Sequence, residues 1–124
     1  MNPYVVIDIG GTSIKYGLAD ANGQLLETHE MPTEAQKGGP HILNTTKEIV
    51  ARYLKKHPLA GVAISSAGIV DPDKGEIFYA GPQIPNYAGT QFKKEIEETF
   101  QIPCEIENDV NCAGLAEVTT GHAK

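Results

Sequence analysis

The stretch DIGGTSIKYG, residues 8–17, joins two apolar segments through a turn that carries one carboxylate, two glycines and one hydroxyl group. Before it, residues 4–7 (YVVI) form a short continuous apolar run, as expected for a strand that is buried on both faces. After the turn, Ile14, Tyr16 and Leu18 alternate with polar or small residues, which is the period of a strand. The stretch therefore predicts a tight β-hairpin with unusual chemistry in its turn.

Strand and helix patterns follow one another through the rest of the chain. Residues 20–23 (DANG) have turn chemistry, and residues 24–31 (QLLETHEM) can return as the third strand of an antiparallel meander. Apolar residues at helical spacing predict one helix that Pro58 ends and a second helix at residues 92–100. The other predicted segments are strands at 59–65, 76–80 and 104–107, a last helix at 108–118, and loops at 65–71 (SSAGIVD) and 82–89 (PQIPNYAG).

This order of elements predicts an α/β fold with one mixed sheet, in which parallel strands join an antiparallel three-strand meander and helices cover the faces. Ligands of such sheets bind beyond the carboxyl ends of the parallel strands. Three polar or glycine-rich clusters follow strands here, namely DIGGT (8–12), SSAG (65–68) and ENDVN (107–111). We therefore expect the three clusters to lie together at one edge of the sheet.

The composition restricts the class of protein. The 124 residues suit a single domain, and 40% of them are hydrophobic, which is enough for a core. A formal net charge of -6 disfavours nucleic acid and membrane surfaces as partners. No apolar run approaches the ~20 residues that span a bilayer. We expect a cytoplasmic protein, because the sequence opens without a charged and then apolar leader.

The cysteine and histidine residues predict neither a disulfide framework nor a metal site. Cys104 and Cys112 are too few for such a framework, and they lack the spacing of zinc ligands. Each histidine is expected to be a solvated side chain. The four histidines are scattered singly along the chain: His29, His41, His57 and His122.

The turn at residues 8–12 has the residue types of a phosphate site. Gly10 and Gly11 allow backbone conformations closed to other residues, and they let a bulky anion approach the main chain. Thr12 adds a hydroxyl donor, Lys15 can bring positive charge, and Asp8 can hold a magnesium ion, usually through water. The turn matches neither the Walker pattern nor the dinucleotide-binding glycine pattern. A plain hairpin turn capped by an acid explains the spacing equally well.

The cluster ENDVN offers a candidate general base. Asn108 suits the N-cap of the last predicted helix, which places Asp109 in the first turn. Taken alone, Asp109 is better explained as an acid that stabilises the helix macrodipole by ~0.3–1 kcal/mol. A helix N-terminus also makes an acid a weaker base. Phosphoryl transfer softens this objection, because its transition state is loose and placement of the hydroxyl matters more than early proton abstraction.

The two predicted loops offer contacts to a sugar. Gly68 can admit a ligand against the backbone, and Asn86 presents a donor and an acceptor together, as vicinal sugar hydroxyls require. In the alternative, Asn86 only caps a turn after Pro85, and this alternative is the better one for the residue considered alone. Long irregular loops in compact domains often face ligands.

Four segments in this order resemble the N-terminal domain of ROK-family sugar kinases, which are bacterial relatives of hexokinase and actin in fold: DIGGTSIKYGL, GVAISSAGIVD, IPNYAG and ENDVNCAGLAE. The resemblance covers essentially the whole chain and is most specific in DIGGT together with ENDVNCAGLAE. It implies a ribonuclease H-like, actin-like ATPase fold with helices on both faces of the sheet. It also implies ATP with Mg2+ as cofactor and a sugar as the phosphate acceptor.

The same resemblance implies roles for individual residues. Asp109 matches the catalytic base of the family. Many members place lysine or asparagine directly after the threonine of the turn, where this chain has Ser13, so a phosphate contact by Lys15 stays open. The residues that match the ATP-phosphate turn are Asp8, Gly10, Gly11 and Thr12, and those that match the sugar contacts are Gly68, Asn86, Asn108 and Asp109.

Members of the family continue into a second domain with a further phosphate turn, the adenosine pocket, more sugar contacts and usually a cysteine-rich zinc site. We therefore expect residues 1–124 to be the N-terminal domain of a longer kinase, with little or no activity alone. Zinc is expected only in the second domain, and no direct metal ligand is predicted in this chain. The full-length protein is expected to be a homodimer.

The expected function is transfer of the γ-phosphate of Mg-ATP to a hydroxyl of a hexose. Glucose is the first choice, with N-acetylmannosamine, fructose and β-glucosides behind it. One alternative is a sugar-responsive transcription regulator of the same family, which carries a helix-turn-helix segment ahead of the first strand, where this sequence has only MNP. The other alternative is an actin-like regulatory ATPase without a sugar substrate.

Overall fold

A computed structural model of the chain describes residues 2–67, 69–71, 73–79 and 84–108, of which residues 69, 78, 79 and 108 are described by their backbone alone. A short 3-10 turn, Ala35–Lys37, precedes the first α-helix. In chain order the strands and α-helices of these residues are β1 (Tyr4–Ile9), β2 (Ser13–Ala19), β3 (Leu25–Pro32), α1 (Gly39–Leu54), β4 (Gly61–Ser66), β5 (Ile69–Asp71), β6 (Glu76–Tyr79), α2 (Phe92–Phe100) and β7 (Cys104–Asn108).

Five of the strands form one mixed sheet in the order β3-β2-β1-β4-β7. The first three strands of the chain are antiparallel neighbours, which confirms the predicted meander. Strands β1, β4 and β7 run parallel to one another. The predicted mixed sheet is therefore confirmed, and the parallel part brings the carboxyl ends of three strands to one edge.

One face of the sheet forms the core. In β1, the side chains of Val5, Ile7 and Ile9 are buried, whereas Val6 is half-buried and Asp8 is exposed. The strand is therefore buried on one face, and the expectation that both faces are buried is wrong. The buried residues of the strands and of both α-helices belong to one hydrophobic cluster. Burial of one such side chain contributes about 1.5–3 kcal/mol, so the alternation along β1 decides which face the helices cover.

Both α-helices occupy the segments that the sequence predicts. Helix α1 begins after Gly38 and has Pro40 in its first turn, where the missing N–H leaves no helical hydrogen bond unmade. Its buried side includes Ile42 and Ile49, and it ends before Pro58. Of the helices that the structure describes, none is long and apolar enough to span a bilayer. The last predicted helix, except for its first residue, lies outside the described residues.

One hairpin departs from the expectation. The sequence predicts a loop over residues 65–71, but β5 forms in this segment and pairs with β6 in a separate two-stranded sheet. Val70 and Ile77 are buried in the common core. A strand of three residues is too short to show a period, so only its pairing reveals it. Gly75 closes the hairpin with a φ of 70° and lies against the side chain of Lys93 on α2.

Candidate functional site

The carboxyl ends of three parallel strands meet at one edge of the sheet. The register aligns Ile9 at the end of β1 with Ser66 at the end of β4, and Ser66 with Asn108 at the end of β7. Neighbouring strands lie about 4.8 Å apart, so the backbones of Ile9 and Asn108 are roughly 10 Å apart. The three sequence clusters therefore begin close enough together to contact two ligands that bind side by side.

The glycine turn, residues 10–13, connects β1 to β2 at this edge. Its closing hydrogen bond runs from the amide of Gly10 to the carbonyl of Ser13, at 2.9 Å. Gly11 and Thr12 are exposed at the tip. Within the described part of the chain, the amides of Gly11 and Thr12 have no hydrogen-bond partner. Two adjacent free amides at an exposed turn can bind an anion.

The structure corrects one of the two reasons given for glycine in this turn. Neither Gly10 nor Gly11 has a positive φ, so the turn does not use a conformation closed to other residues. A Cβ atom at Gly11 would meet no heavy atom within 4 Å. The fold therefore does not require glycine at this position. The geometry supports the other reason, which is an open path for a bulky anion to the main chain.

Thr33, which the sequence analysis does not single out, holds the glycine turn in place. Its side chain is buried, and its hydroxyl donates to the carbonyl of Gly10 at 2.7 Å. Its backbone amide donates to the carbonyl of Thr12 at 3.0 Å. No local motif marks Thr33, because its contact with Gly10 spans 23 residues of the chain.

Asp8 and Lys15 belong to a row of polar residues that crosses the sheet. Aligned residues on neighbouring strands share a face, so the side chains of this row stand side by side. The hydroxyl of Ser65, which is fully buried, donates to Oδ1 of Asp8 at 2.7 Å. Lys15 is exposed directly opposite Asp8, which leaves a phosphate contact open. From β2 to β7 the row consists of Lys15, Asp8, Ser65 and Glu107.

Asp8 is the described residue that could contribute to a magnesium site. Its side chain is exposed, and among the described residues its Oδ2 atom has no hydrogen-bond partner. In the described ranges, no three His, Cys, Asp or Glu side chains come together as metal ligands. One carboxylate suits a magnesium ion that is held mainly by water and nucleotide phosphates, and it does not suit an ion held by protein ligands alone.

The 84–90 loop lies beside the end of β4. Tyr87 is buried, and its hydroxyl is hydrogen-bonded to the hydroxyl of Ser66. The neighbouring Asn86 takes a left-handed conformation, with φ 57°, and its side chain is exposed. Asparagine tolerates this conformation better than most residues. The bond to Ser66 thus anchors the loop that carries Asn86 to the carboxyl end of β4.

The N-terminus of α1 packs against the same loop. The amide of Gly39 donates to the carbonyl of Pro85 at 2.9 Å. A Cβ atom at Gly39 would lie 2.2 Å from the carbonyl oxygen of Asn86 and 2.9 Å from the Cα atom of Tyr87. Glycine is therefore required here by the close approach of two backbones.

Three of the predicted site residues have no described side chain. Gly68 and Asp109 lie outside the described residues, and Asn108 is described by its backbone alone. The sugar contacts of these residues, and the role of Asp109 as base, stay predictions. Asp109 is the residue that follows the last residue of β7 in the sequence.

An ion-pair network fixes the start of β7. Lys93 on α2 donates from Nζ to the carboxylates of Glu97, at 3.0 Å, and Glu105, at 2.9 Å. It also donates to the carbonyl of Cys104 at 2.8 Å, while the amide of Cys104 donates to Glu97 at 3.0 Å. The hydrogen bond to Glu105 raises the pKa of Lys93, and the Cys104 amide, followed by Lys93, lowers the pKa of Glu97. The network thereby secures β7 against α2.

Cys104, the first residue of β7, is fully buried. Burial raises the pKa of its thiol to about 12. Because the thiolate is the form that binds metals and attacks electrophiles, the protonated Cys104 is a packing residue and not a reactive one.

The sheet order, the glycine hairpin between the first two strands and the polar clusters at the parallel strand ends define a protein with the actin-like ATPase fold. The sequence pattern of the ROK family matches residues 4–124, and the chain belongs to this family. The resemblance seen in the sequence is therefore confirmed, together with the actin-like ATPase fold and its mixed sheet.

Curated relatives match almost the whole chain. It is 50% identical to an uncharacterized protein of Clostridium perfringens over 100% of this chain and 42% of the relative. It is 30% identical to a glucokinase of Halalkalibacterium halodurans, over 95% of this chain and 37% of the relative. It is 36% identical to a β-glucoside kinase of Klebsiella pneumoniae, over 94% of this chain and 37% of the relative. The chain spans about two-fifths of the length of these relatives.

Solved structures with the same fold include both kinases and a regulator. A ROK family glucokinase from Streptomyces griseus, in complex with glucose and AMPPNP, has a TM-score of 0.82 and 29% identity over 98% of this chain and 38% of that chain. The ROK hexokinase from Thermus thermophilus has a TM-score of 0.77 and 30% identity, over 93% of this chain and 38% of that chain. A ROK family transcriptional regulator, a homologue of the E. coli MLC protein, has a TM-score of 0.79 over 93% of this chain and 30% of that chain. At 17% identity, the likeness to the regulator concerns the fold alone.

Proposed function

We propose that the chain is the N-terminal domain, residues 1–124, of an ATP-dependent sugar kinase that transfers the γ-phosphate of Mg-ATP to a hydroxyl of a hexose. The glycine turn carries the proposal, because two adjacent amides have no described partner and Gly11 leaves an open path to them. The turn also lies at the same sheet edge as the end of β7. Relatives named as glucokinase, β-glucoside kinase and N-acetyl-D-glucosamine kinase support the proposal.

The glycine turn is the phosphate-binding element of the proposed kinase. The amides of Gly11 and Thr12 donate to phosphate oxygens, and the hydroxyl of Thr12 and the ammonium group of Lys15 add further donors. Donors that are already in place stabilise the charge on the transferring group without reorganising during the reaction. Asp8 would hold the magnesium ion through its water shell, and the bound ion would neutralise phosphate charge.

The acceptor side of the proposed site lies at the ends of β4 and β7. Asp109 orients the attacking sugar hydroxyl and takes its proton. Asn86, Asn108 and the backbone at Gly68 bind the other hydroxyls. The hydrogen bond between Tyr87 and the end of β4 supports this arrangement, because it anchors the loop that carries Asn86. In a loose transition state, placement of the hydroxyl by Asp109 matters more than its strength as a base.

Glucose is the proposed acceptor, and β-glucosides and N-acetylated hexoses are the next candidates. The relatives support the class of substrate and leave the sugar open, since a glucokinase and a β-glucoside kinase are 30% and 36% identical to the chain. The proposal also includes a second domain that supplies the adenosine pocket and any zinc site. We further propose that the full-length protein is a homodimer and that it is located in the cytoplasm.

Coupled ADP release from the full-length protein, measured with a panel of hexoses, tests the proposal. We expect turnover with glucose and a fall in kcat of roughly 10²–10⁴-fold for Asp109→Asn, since the carboxylate acts mainly in the transition state. The dissociation constant for glucose, measured by calorimetry, should stay close to that of the unmodified protein. Turnover that survives Asp109→Asn would reject the assignment of the base.

Asp73→Asn is the matched control, because it makes the same chemical change far from the strand ends. Asp73 is exposed in the turn of the β5–β6 hairpin. Gly75 of this turn packs on Lys93, and Lys93 binds the start of β7. Asp109 follows the opposite end of β7 in the sequence. The control should keep its kcat.

Sugar binding without phosphoryl transfer in the unmodified protein would favour the regulator, and ATP hydrolysis without sugar binding would favour the actin-like ATPase.

A further inference from the structure

The connector, residues 33–39, links β3 to α1 and touches both halves of the proposed site. At its first residue, the hydroxyl and the amide of Thr33 both donate to carbonyls of the glycine turn. At its last residue, the amide of Gly39 donates to Pro85 in the 84–90 loop, and a side chain at Gly39 would collide with Asn86. One short segment therefore contacts the proposed phosphate turn and the proposed sugar loop.

The connector is well bonded along its length. Glu34 takes a left-handed conformation, with φ 56°, and Gly38 has a φ of 89°. Between them, the amides of Lys37 and Gly38 donate to the carbonyls of Glu34 and Ala35. The carboxylate of Glu34 pairs with Lys37 at 3.2 Å and with His41 at 3.1 Å. A non-glycine residue keeps a left-handed conformation only where its surroundings hold it, so the connector is a defined spacer and not a slack loop.

We propose that Thr33 is a positioning residue that aims the amide of Gly11 at the nucleotide phosphates, an inference that rests on the proposed kinase function. The carbonyl of Gly10 and the amide of Gly11 belong to one planar trans peptide unit, in which C=O and N–H point in opposite directions. Because the hydroxyl of Thr33 holds the carbonyl, the amide points away from Thr33 toward the exposed tip of the turn.

The two glycines make this restraint necessary. Glycine has access to more backbone conformations than any other residue, so the peptide between Gly10 and Gly11 can rotate when nothing holds its carbonyl. The hydroxyl of Thr33 selects one orientation at the expense of the others. Apparent affinity falls in proportion to the fraction of molecules in the binding orientation. Loss of the hydroxyl should therefore weaken nucleotide binding without any loss of a direct ligand contact.

Thr33→Val in the full-length protein tests this role. We expect the dissociation constant for AMPPNP, measured by calorimetry, to rise about tenfold, as for the loss of one buried hydrogen bond. The KM for ATP should rise with it, whereas the dissociation constant for glucose in the absence of nucleotide should not change. Thr33→Ser keeps a hydroxyl and should restore AMPPNP binding. Thr33→Ala provides the same measurement if the valine variant does not fold.

Thr46→Val is the matched control for the loss of a buried hydroxyl. Thr46 is fully buried in α1, and its hydroxyl donates to the carbonyl of Ile42 at 2.9 Å within the same helix. This variant should lose stability and keep its AMPPNP affinity.

Gly39→Ala perturbs the other end of the connector through its collision with Asn86. It should weaken glucose binding and leave AMPPNP binding unchanged.

Three results would overturn the role of Thr33. They are unchanged AMPPNP affinity in Thr33→Val, an equal loss in Thr46→Val, and an equal loss of glucose and AMPPNP affinity in Thr33→Val. Failure of the proposed kinase function looks different. A protein that binds AMPPNP and phosphorylates no sugar refutes the kinase, and the role of Thr33 is then decided by the AMPPNP affinities alone. A protein that binds no AMPPNP refutes both.

Discussion

The meander contains two turns that differ in how many of their amides are bonded within the turn. In the turn at residues 20–24, the carboxylate of Asp20 accepts the amides of Asn22 and Gln24, both at 2.9 Å. The amide of Gly23 donates to the carbonyl of Asp20, also at 2.9 Å, and Gly23 has a φ of 85° that favours glycine. Asp20 thus accepts three amides of this turn, and Gly23 is needed for its positive φ.

In the glycine turn, the amide of Gly10 donates to the carbonyl of Ser13, and two other carbonyls are held from outside the turn. The amides of Gly11 and Thr12 have no described partner, and neither glycine has a positive φ. Thr33 fixes two carbonyls of the turn from another segment. Because the amides of Gly11 and Thr12 are exposed, they can bond to water or to a ligand, which agrees with the proposed phosphate contact of this turn.

Among the changes that test this comparison of the two turns, the largest effect should come from a methyl group at the tip of the glycine turn. Gly11→Ala should raise the dissociation constant for AMPPNP roughly 10–100-fold, since overfilling a fitted site costs about 1–3 kcal/mol. The free energy of unfolding should stay equal or rise slightly, because the added Cβ meets no protein atom and restricts the unfolded chain. Calorimetry and urea unfolding of the same protein give both values. A destabilised Gly11→Ala protein with full nucleotide affinity would contradict the comparison.

The same substitution in the other turn should have the reverse result. Gly23→Ala places a side chain on a residue with a φ of 85°. We expect it to lower the free energy of unfolding by about 1–2 kcal/mol, the strain of a left-handed residue. The dissociation constant for AMPPNP should not change. A loss of nucleotide affinity here would mean that the two turns are not separate in function.

A smaller loss should follow removal of the side chain that bonds the 20–24 turn. Asp20→Ala leaves the amides of Asn22 and Gln24 to water, because the carboxylate that accepts them is gone. These bonds are exposed, so we expect a loss of about 1 kcal/mol in the free energy of unfolding. Urea unfolding measures the loss, and kcat is the control that should stay constant. No measurable loss would show that the turn is held by its backbone alone.

The smallest expected effect concerns the start of β7, which resembles the 20–24 turn in that a carboxylate satisfies a backbone amide. The amide of Cys104, followed by Lys93, lowers the pKa of Glu97 below its ordinary value of 4.5. Glu97 therefore contributes stability that is fully present above that value and is lost as the pH falls through the lowered one. The free energy of unfolding of Glu97→Gln should decline less steeply between neutral and acid pH than that of the unmodified protein.

Glu98→Gln is the control for this pH dependence, because Glu98 is exposed on the same helix and the charge change is identical. It should keep the acid dependence of the unmodified protein. If Glu97→Gln and Glu98→Gln give the same curve, the hydrogen bond from Cys104 to Glu97 contributes nothing to stability.

The sequence predicts the elements whose signals are local. The continuous apolar run of β1, the alternation in β2, the helical spacing in α1 and α2, and the prolines after both helices are properties of short windows, and these elements form where expected. The gathering of the three clusters at one edge follows from the parallel order of the strands. Residue spacing alone leaves the phosphate-binding and sugar-binding roles open, and the resemblance to the ROK family is what predicts them.

The features that the sequence does not predict depend on contacts between distant segments. Ser65 bonds Asp8 across 57 residues and Thr33 bonds Gly10 across 23, and no window of sequence contains both partners of either pair. Strand β5 has three residues and depends on β6 for its existence. The explanation for glycine at position 11 also changes. The sequence cannot tell whether the backbone conformation requires glycine or whether the space beside it must stay open, whereas the structure shows open space at Gly11.

The buried thiol at the start of β7 has a practical consequence. Alkylating reagents attack the thiolate, and at neutral pH the folded chain offers Cys104 neither ionisation nor access. Modification of this residue must therefore wait until β7, which is an edge strand among the described strands, detaches from its neighbours. The rate at which Cys104 is labelled, followed by mass spectrometry, thus measures how often β7, the strand that precedes Asp109, opens.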